Sequence, residues 1–328
     1  MKLLVLSGPD VHELLSYGEC VQAMRSGLSE LASGTAQQPV RVIISSWSAA
    51  GMMGLMPSFR EGGAGAYGLK AICITPGNPA AGLDSHQGVV LLSDGATGVP
   101  LAVLNASAVT EIRTAAVSVL ATDLLARPGA ADLAIIGTGV QARAHVLALG
   151  QSRPLRRVRV AGRDTAKAAA FAESLRPALE AEITGCASAA EAVAGADIIV
   201  TATTSAKPVL HRDWVAAGAH VNAVGACLPD ARELDGALVA GAALYADSLE
   251  GLRAEAGDFL LAEAEGLIGR DDVRGTLGEL LAGTAAGRRD DEEITVFESL
   301  GLAVEDLAAA QAAYDLAQQA GAGQWFDF

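Results

Sequence analysis

Residues 131–150 read ADLAIIGTGVQARAHVLALG and combine an apolar run, a glycine turn and a helical pattern. The run Leu133–Ile136 contains no polar residue, as is typical of a strand buried on both faces of a parallel sheet. The turn Gly137–Ala142 then has the spacing G-x-G-x-x-A. In such a turn the first glycine permits a tight bend and the second lets the backbone approach a pyrophosphate. The small last residue lets the helix pack on the strand.

This order of strand, turn and helix predicts a dinucleotide site formed by Gly137, Thr138, Gly139, Val140 and Gln141. A glycine turn without a ligand is the alternative, because the chain has 37 glycines. The next strand, in VRVAGRD, ends with Gly162, Arg163 and Asp164, where NAD-specific loops usually carry Asp or Glu. An arginine there pairs with a 2′-phosphate, so the pattern favours NADP(H), with NAD(H) second. Asp164 as a ribose acceptor and Arg163 as a surface charge are the alternatives.

Apolar runs elsewhere define two kinds of sheet. ADIIVTATTS and AHVNAVGA are further continuous apolar runs, and they predict a Rossmann-type doubly wound parallel sheet over residues 126–295. The runs VRVIIS, GLKAICIT and GVVLLSD lie close together and predict a mostly antiparallel sheet. The segment after Ile294 reads as one helix, which we expect to return to the first domain. The predicted fold is therefore α/β, with a discontinuous α+β domain made of residues 1–125 and 296–328.

Composition excludes several classes of protein. The chain is 51% hydrophobic and 19% charged, and 23 basic against 38 acidic residues give a net charge of −15. Such an acidic protein repels nucleic acids and anionic membranes, so neither is an expected partner. Its longest apolar runs are too short for a membrane span or a signal peptide. The four cysteines form no C-x-x-C and the five histidines form no paired spacing, so we expect a cytoplasmic protein without a metal site.

Several segments together resemble the ornithine cyclodeaminase and mu-crystallin family in their order and spacing. They are MPSFR, GLKAICITPGNPAAGLDSHQGVVLLSD, TEIRTAAVSVLA, IIGTGVQARAH, HVNAVGACLPDARELD, LYADS and VFESLGLAVEDLAAA. The resemblance covers nearly the whole chain and is strongest to the mu-crystallin, ketimine reductase branch. It implies a homodimer in which the discontinuous domain forms the dimer interface and binds the substrate carboxylate.

The resemblance also implies roles for particular side chains. Lys70 in GLKA matches the family's active-site lysine, Arg113 in RTAA matches an arginine at substrate and cofactor, and Arg41 in PVRV matches one that binds the carboxylate. Lys70 lies in an apolar strand pattern, where a charge needs a partner or a function. An outward-pointing lysine on an edge strand is the alternative. We expect Met56 to line the substrate pocket, and His86 either to donate a proton or to serve as a hydrogen-bonding scaffold.

Small and hydroxyl-bearing residues complete the predicted cofactor site. They are Thr114, Ser118, Thr201, Thr203, Val224, Ala226 and Cys227. In the cyclodeaminases an aspartate follows the strand that here reads VNAVGA, and alignment places Cys227 at that position. A thiol accepts hydrogen bonds poorly and is uncharged at neutral pH, so it does not replace this carboxylate.

We therefore predict NAD(P)H-dependent reduction of a small α-imino acid, or the reverse dehydrogenation of an amino acid. Candidate substrates are pyrroline- or piperideine-2-carboxylate and linear imines. Arg41 and Lys70 are expected to hold the carboxylate, while ammonium, water, Lys70 or His86 supplies the proton. The alternatives are an ornithine- or lysine-type cyclodeaminase with bound NAD, and a non-catalytic, NADPH-dependent ligand-binding protein of the crystallin kind.

Overall fold

The chain divides into two compact units. A computed structural model describes residues 2–46 and 51–328, and groups Met1–Arg113 with Gly301–Phe328 as unit 1 and Thr114–Leu300 as unit 2. The boundaries expected from the sequence were 125/126 and 295/296. The first boundary in the structure falls inside a long helix. A helical sequence pattern gives no sign of a domain boundary within it, so the expected boundary was placed at the end of that helix.

Unit 1 is built on a mixed, mostly antiparallel sheet. Its strands are β1 (Lys2–Leu6), β2 (Ala36–Gln37), β3 (Val42–Ser45), β4 (Met52–Arg60), β5 (Ala66–Ile74), β6 (His86–Asp94), β7 (Pro100–Asn105) and β16 (Gln324–Asp327). The strand order is β16-β1-β7-β6-β5-β4-β2, and β3 also pairs with β4. All of these pairs are antiparallel except β1 with β7. The expected antiparallel sheet is therefore confirmed.

Helices cover one face of this sheet. They are α1 (Gly8–Leu14), α2 (Tyr17–Ser33) and α11 (Ala303–Ala320), and α3 (Ala106–Leu125) begins in this unit. Helix α11 contacts β4, β5, β6 and α2. Helices α1 and α2 are separate because Ser16 starts a new helix: its hydroxyl accepts the N–H of Glu19 while the Glu19 carboxylate accepts the N–H of Ser16.

Unit 2 is a doubly wound parallel sheet. Its strands are β8 (Asp132–Ile136), β9 (Arg157–Ala161), β10 (Glu182–Gly185), β11 (Ile198–Thr201), β12 (His220–Ala223), β13 (Ala243–Ala246), β14 (Val273–Thr276) and β15 (Thr295–Glu298). The order is β10-β9-β8-β11-β12-β15-β13-β14, and every pair is parallel. The predicted Rossmann-type sheet is confirmed. Strands β8, β11, β12, β13 and β15 are buried throughout, which explains the apolar runs in β8, β11 and β13.

Seven helices of unit 2 connect these strands. They are α4 (Val140–Ser152), α5 (Thr165–Leu175), α6 (Ala189–Val193), α7 (Gly236–Ala240), α8 (Leu249–Glu255), α9 (Gly257–Ala264) and α10 (Leu277–Ala282). Short 3₁₀ turns also occur, at Asn78–Ala81 in unit 1 and at Arg176–Ala178, Arg212–Trp214 and Arg270–Asp272 in unit 2. Within residues 2–46 and 51–328, no helix has the length and apolar content needed to cross a membrane.

The segment after Ile294 corrects one expectation. We expected one continuous helix there, but Thr295–Glu298 is strand β15, paired with β12 and β13, and the helix begins only at Ala303. Thr, Val and Phe favour strands, and here they fill the space between two parallel strands. Gly301, with φ of 80°, separates the strand from the helix in a conformation that side chains rarely adopt.

Candidate active site

Lys70 lies on an inner strand of unit 1 with its side chain only 3% exposed. Its cross-strand neighbours are Met56 on β4 and Val90 on β6, both of which are buried. Because β5 has a strand on each side, the alternative of an outward-pointing edge lysine does not apply. A buried ammonium group needs partners that compensate for the water it has lost.

The first turn of α11 supplies those partners. The Nζ atom of Lys70 lies 2.7 Å from Oδ2 of Asp306, and Arg113 donates from Nε to Oδ1 of Asp306 at 3.0 Å. Arg113 also donates from Nη1 to Oε2 of Glu305 at 2.8 Å. All four side chains are buried. Asp306 therefore bridges the two cations, and Glu305 fixes the second of them.

Sequence reasoning assigned no role to either acid. Glu305 and Asp306 were part of the segment VFESLGLAVEDLAAA, which supported the family resemblance without a function for its charged residues. The sequence did contain a signal, because the two adjacent acids lie between the apolar pairs Ala303–Val304 and Leu307–Ala308. Asp and Glu are almost never fully buried unless they are paired.

Arg41 and Gly301 complete this cluster. Arg41 donates from Nη2 to the carbonyl oxygen of Gly301 at 3.0 Å. A Cβ atom at position 301 would lie 2.5 Å from Nη1 of Arg113, so only glycine leaves room for the guanidinium. We call Lys70, Arg113, Arg41, Glu305 and Asp306 the cationic cluster.

The cationic cluster contains more cations than carboxylates: Lys70, Arg113 and Arg41 lie beside Glu305 and Asp306. Burial lowers the pKa of Lys70 to about 8; Asp306 opposes this effect, and the charges of Arg113 and Arg41 add to it. Lys70 is thus mainly protonated at neutral pH, yet it can exchange a proton in the physiological range. The cluster suits an anionic ligand that takes part in proton transfer.

His86 lies near this cluster at the start of β6. Nδ1 of its ring lies 2.9 Å from Oγ of Ser85. Partial burial and the charges of Lys70 and Arg113 lower the pKa of His86 below its ordinary value of 6.5. The imidazole is therefore mainly neutral at pH 7, which fits a hydrogen-bonding role better than an acid. Proton donation by His86 stays a prediction.

In unit 2 the glycine turn has the geometry of an anion-binding loop. Gly137 has φ of 131°, and a Cβ atom there would lie 2.4 Å from the carbonyl oxygen of Ala202, so the position requires glycine. Gly139 begins α4 without a side-chain cap, and no atom lies within 4 Å of where its Cβ would be. Gly139 and Val140 at the start of α4 are exposed, so the N-terminus of this helix is accessible to a diphosphate. These residues fit a dinucleotide.

The end of β9 presents an arginine. Arg163 and Asp164 are both exposed, but the Asp164 side chain caps α5 by accepting the N–H of Lys167 at 3.1 Å. Part of the hydrogen-bonding capacity of this carboxylate is therefore used within the protein. Arg163 is the side chain that extends from this position with a charge suited to a phosphate.

Parallel strands bring the other predicted cofactor residues to one edge of the sheet. Strand β11 lies between β8 and β12, so the residues at the ends of these strands share the edge that carries the glycine turn. In doubly wound sheets, ligands bind at this edge where the strand order reverses, here between β8 and β11. The predicted residues at that edge are Thr201, Thr203, Val224, Ala226 and Cys227.

Two predicted cofactor residues lie on helix α3. Thr114 is buried, and Ser118 is completely buried with its Oγ atom 2.9 Å from Nε2 of His145. The Ser118 hydroxyl thus already has a protein partner, and its contact with a cofactor stays a prediction. Among the residues that the structure describes, no group of three or more His, Cys, Asp or Glu side chains is placed to hold a metal ion.

Cys227 occupies the loop after β12. Its Sγ atom lies 3.6 Å from the carbonyl oxygen of Val224 and 3.8 Å from that of Ser299, within reach of weak S–H hydrogen bonds. The residue is partly buried, whereas Asp230, three positions later, is exposed. At this position the chain offers a thiol in place of the carboxylate of the cyclodeaminases.

Comparison with known proteins agrees with this geometry. Ketimine reductase mu-crystallin of Mus musculus is 39% identical over 295 residues, which cover 90% of each chain. The structure of Thermococcus litoralis Δ1-pyrroline-2-carboxylate reductase in complex with NADH and L-proline is 37% identical, with a TM-score of 0.94, over 98% of this chain and 99% of that one. An archaeal alanine dehydrogenase dimer with bound NAD is 34% identical, with a TM-score of 0.93, over 100% of both chains. The model of the ornithine cyclodeaminase/mu-crystallin family matches residues 1–321, and the chain belongs to that family.

Proposed function

We propose that this protein reduces a small α-imino acid to the amino acid with a nicotinamide dinucleotide, or catalyses the reverse dehydrogenation. The observation that carries this proposal is the cationic cluster, in which three cations lie beside two buried carboxylates in a chain of net charge −15. The two relatives named as ketimine and pyrroline-2-carboxylate reductases support the same substrate class. Cyclic imines such as pyrroline- and piperideine-2-carboxylate are the leading candidates.

The cationic cluster binds and orients the substrate in this reaction. Arg41 and Lys70 hold the carboxylate. Arg113 is kept in place by the hydrogen bonds that it donates to Glu305 and Asp306. The glycine turn, Gly137–Gln141, would hold a dinucleotide, which when bound would supply a hydride for the imine carbon. The imine nitrogen takes up one proton, so the products are the amino acid and the oxidised dinucleotide. With a pKa of about 8, Lys70 is a suitable source of that proton at neutral pH.

A substrate panel with matched lysine variants tests this proposal. Cyclic and linear α-imino acids are generated in situ, and oxidation of NADPH and NADH is followed by absorbance. We expect Lys70→Ala to lower kcat/KM by about 10²–10⁴-fold while dinucleotide binding is retained. Lys2→Ala, which removes an exposed lysine of the same unit, should have no effect. Unchanged imine reduction by Lys70→Ala would show that the catalytic assignment is wrong.

We further infer a preference for NADP(H), with Arg163 as the residue that selects it. Support comes from the exposed Arg163 and from the use of Asp164 as a helix cap. A charged hydrogen bond contributes about 1.5–3 kcal/mol, so Arg163→Ala should weaken NADPH about 10–100-fold and NADH much less. Arg176→Ala, which removes an exposed arginine after α5, is the matched control. Equal weakening of both dinucleotides would contradict the preference.

We also infer that the protein is a homodimer formed through unit 1. The sheet face opposite α11 is apolar, and β3 extends it with exposed side chains. The exposed apolar residues on this face are Val42, Ile44, Met53, Tyr67 and Val89. Contiguous apolar surface of this kind marks an interface, and a two-fold dimer buries the same patch of both subunits. The dimeric alanine dehydrogenase supports this reading.

The cysteine spacing supports a cytoplasmic location.

Two alternatives predict different outcomes in the same experiments. A cyclodeaminase would release ammonia from ornithine or lysine without net formation of NADH, and it would copurify with bound NAD. Cys227 argues against this alternative, because a thiol accepts hydrogen bonds poorly and does not replace a carboxylate. A non-catalytic binding protein would bind NADPH and turn over none of the imines, but the buried Lys70 argues for catalysis.

A further inference from the structure

A buried carboxylate joins two loops of unit 2 at the carboxyl edge of the parallel sheet. Glu233 is fully buried, and its Oε1 atom accepts the backbone N–H of Thr203 at 2.7 Å. Its Oε2 atom accepts the backbone N–H of Gly225, also at 2.7 Å. Thr203 follows β11 and Gly225 follows β12. One side chain therefore connects the two loops that continue these neighbouring strands.

The two loops approach each other closely at this point. A Cβ atom on Gly225 would lie 2.2 Å from the carbonyl oxygen of Thr203 and 2.6 Å from the carboxyl carbon of Glu233. Position 225 therefore requires glycine because of the close approach. The distance between the loops is set by the carboxylate of Glu233, which bonds to both.

Asp258 on α9 fixes Glu233 from the other side. The Oδ1 atom of Asp258 accepts the N–H of Glu233 at 2.9 Å and that of Leu234 at 2.7 Å. Asp258 is fully buried. Because both the backbone and the side chain of Glu233 are held by hydrogen bonds, its carboxylate has little freedom to move.

Burial changes the pKa of each acid in this cluster. Burial and the negative charges of Asp258, Glu233 and Asp247 raise the pKa of Glu298 well above its ordinary value, so Glu298 carries a proton. Burial also raises the pKa of Glu233, and the hydrogen bonds that its carboxylate accepts oppose that rise. Burial raises the pKa of Asp258 to about 7, although the two backbone N–H groups that it accepts lower it.

We propose that Glu233 is a positioning residue that fixes the two loops against which the nicotinamide end of the dinucleotide binds. This inference rests on the proposed function, since it requires a dinucleotide at this edge of the sheet. The diphosphate belongs at the glycine turn after β8, and the adenosine half belongs beside Arg163 at the end of β9. The loops after β11 and β12 lie on the other side of the switch point, next to the nicotinamide half.

The test compares a dinucleotide with a fragment of it. Glu233→Gln keeps the shape of the side chain but turns a donating –NH2 group toward one of the two N–H groups, so one bond is lost and two donors face each other. Glu298→Gln is the matched control, because it replaces a neutral acid by a neutral amide of the same size in the same buried cluster. Dissociation constants for NADPH, NADH and ADP are measured by calorimetry. ADP carries the adenosine and the diphosphate but no nicotinamide.

We expect Glu233→Gln to weaken NADPH and NADH at least tenfold and ADP less than twofold. The deuterium isotope effect on kcat, measured with NADPH deuterated at nicotinamide C4, should rise because hydride transfer becomes slower. Glu298→Gln should change neither quantity by more than twofold. If Glu233→Gln does not fold, Glu233→Asp carries the same expectation, since its shorter side chain cannot reach both N–H groups.

Either of two results would overturn this inference and leave the proposed function intact. One is wild-type affinity of the variant for both dinucleotides; the other is proportional weakening of ADP and dinucleotides, which would mean a merely structural role. A wild-type protein that binds ADP but neither NADPH nor NADH would refute the proposed function, and this inference would fall with it.

Discussion

Replacement of Asp306 by Asn isolates the electrostatic contribution of one carboxylate to Lys70. Asp306 contacts Lys70 at 2.7 Å and Arg113 at 3.0 Å, and all three side chains are buried. Its negative charge is the largest influence that keeps the pKa of Lys70 from falling further. Asn has nearly the same shape and can still accept a hydrogen bond, so the variant removes mainly the charge.

The size of the effect follows from Coulomb's law. Two unit charges about 4 Å apart interact by about 4 kcal/mol at an effective dielectric constant of about 20, which corresponds to about three pKa units. The amide dipole of Asn and structural relaxation recover part of this energy, so we expect a decrease of about one to two units. The pKa of Lys70 then falls from about 8 to between about 6 and 7. At pH 7.5 the protonated fraction falls from about three quarters to about one tenth.

The assay is the pH dependence of kcat/KM for imine reduction. If the protonated form of Lys70 is the active one, kcat/KM declines as pH rises through its pKa, near 8 in the wild type and one to two units lower in Asp306→Asn. Glu305→Gln is the control, because it removes the buried carboxylate that faces Arg113 and leaves the contact between Lys70 and Asp306. An unshifted profile in Asp306→Asn, or an equal shift in both variants, would refute this reasoning.

Three further predictions concern stability and assembly. Gly301→Ala places a Cβ atom against Arg113 at φ of 80°, so we expect a stability loss greater than the about 1–2 kcal/mol of backbone strain alone, and at least a tenfold loss in kcat/KM. Gly283→Ala, at φ of 71° with open space around it, should lose only the strain energy of about 1–2 kcal/mol in urea unfolding, with unchanged kinetics. Ile44→Asp puts a charge on the exposed apolar face of unit 1, so light scattering should detect a monomer of 33.2 kDa; a persistent dimer would place the interface elsewhere. Burial lowers the pKa of His145 from 6.5 to about 4, so between pH 7 and 5 the unfolded state gains protons that the native state does not. We expect about 2 kcal/mol of lost stability over that range, and a flatter profile of unfolding free energy against pH for His145→Gln.

The doubly wound sheet was predictable because strands that are buried on both faces have continuous apolar sequences. Strands such as Leu133–Ile136 must be apolar at every position, and the glycine turn follows at once. Strand β15 was not predictable in the same way. Its four residues precede a strong helix, and what makes them a strand is pairing with β12, whose residue His220 lies opposite Thr295. Pairing between residues so far apart leaves no local pattern.

The same distinction separates the two halves of the cationic cluster. Lys70 was conspicuous because a charge interrupts an apolar strand. Glu305 and Asp306 were not assigned, because the partner that explains their burial, Arg113, is 192 and 193 residues away. Glu233 was missed for another reason. Its carboxylate accepts hydrogen bonds from backbone N–H groups, which are present whatever the side chain, so no sequence pattern indicates this contact.

The position of α11 near the end of the sequence affects the order in which the two units fold during synthesis. Unit 2 is continuous from Thr114 to Leu300, so all of it has been synthesised before α11 leaves the ribosome. Until that helix arrives, Lys70 and Arg113 lack the carboxylates that compensate for their burial, and an unpaired buried charge costs several kcal/mol. Domains generally fold during synthesis in the order of their translation. Here that order is reversed, and the part of the protein that is translated first completes its folding last.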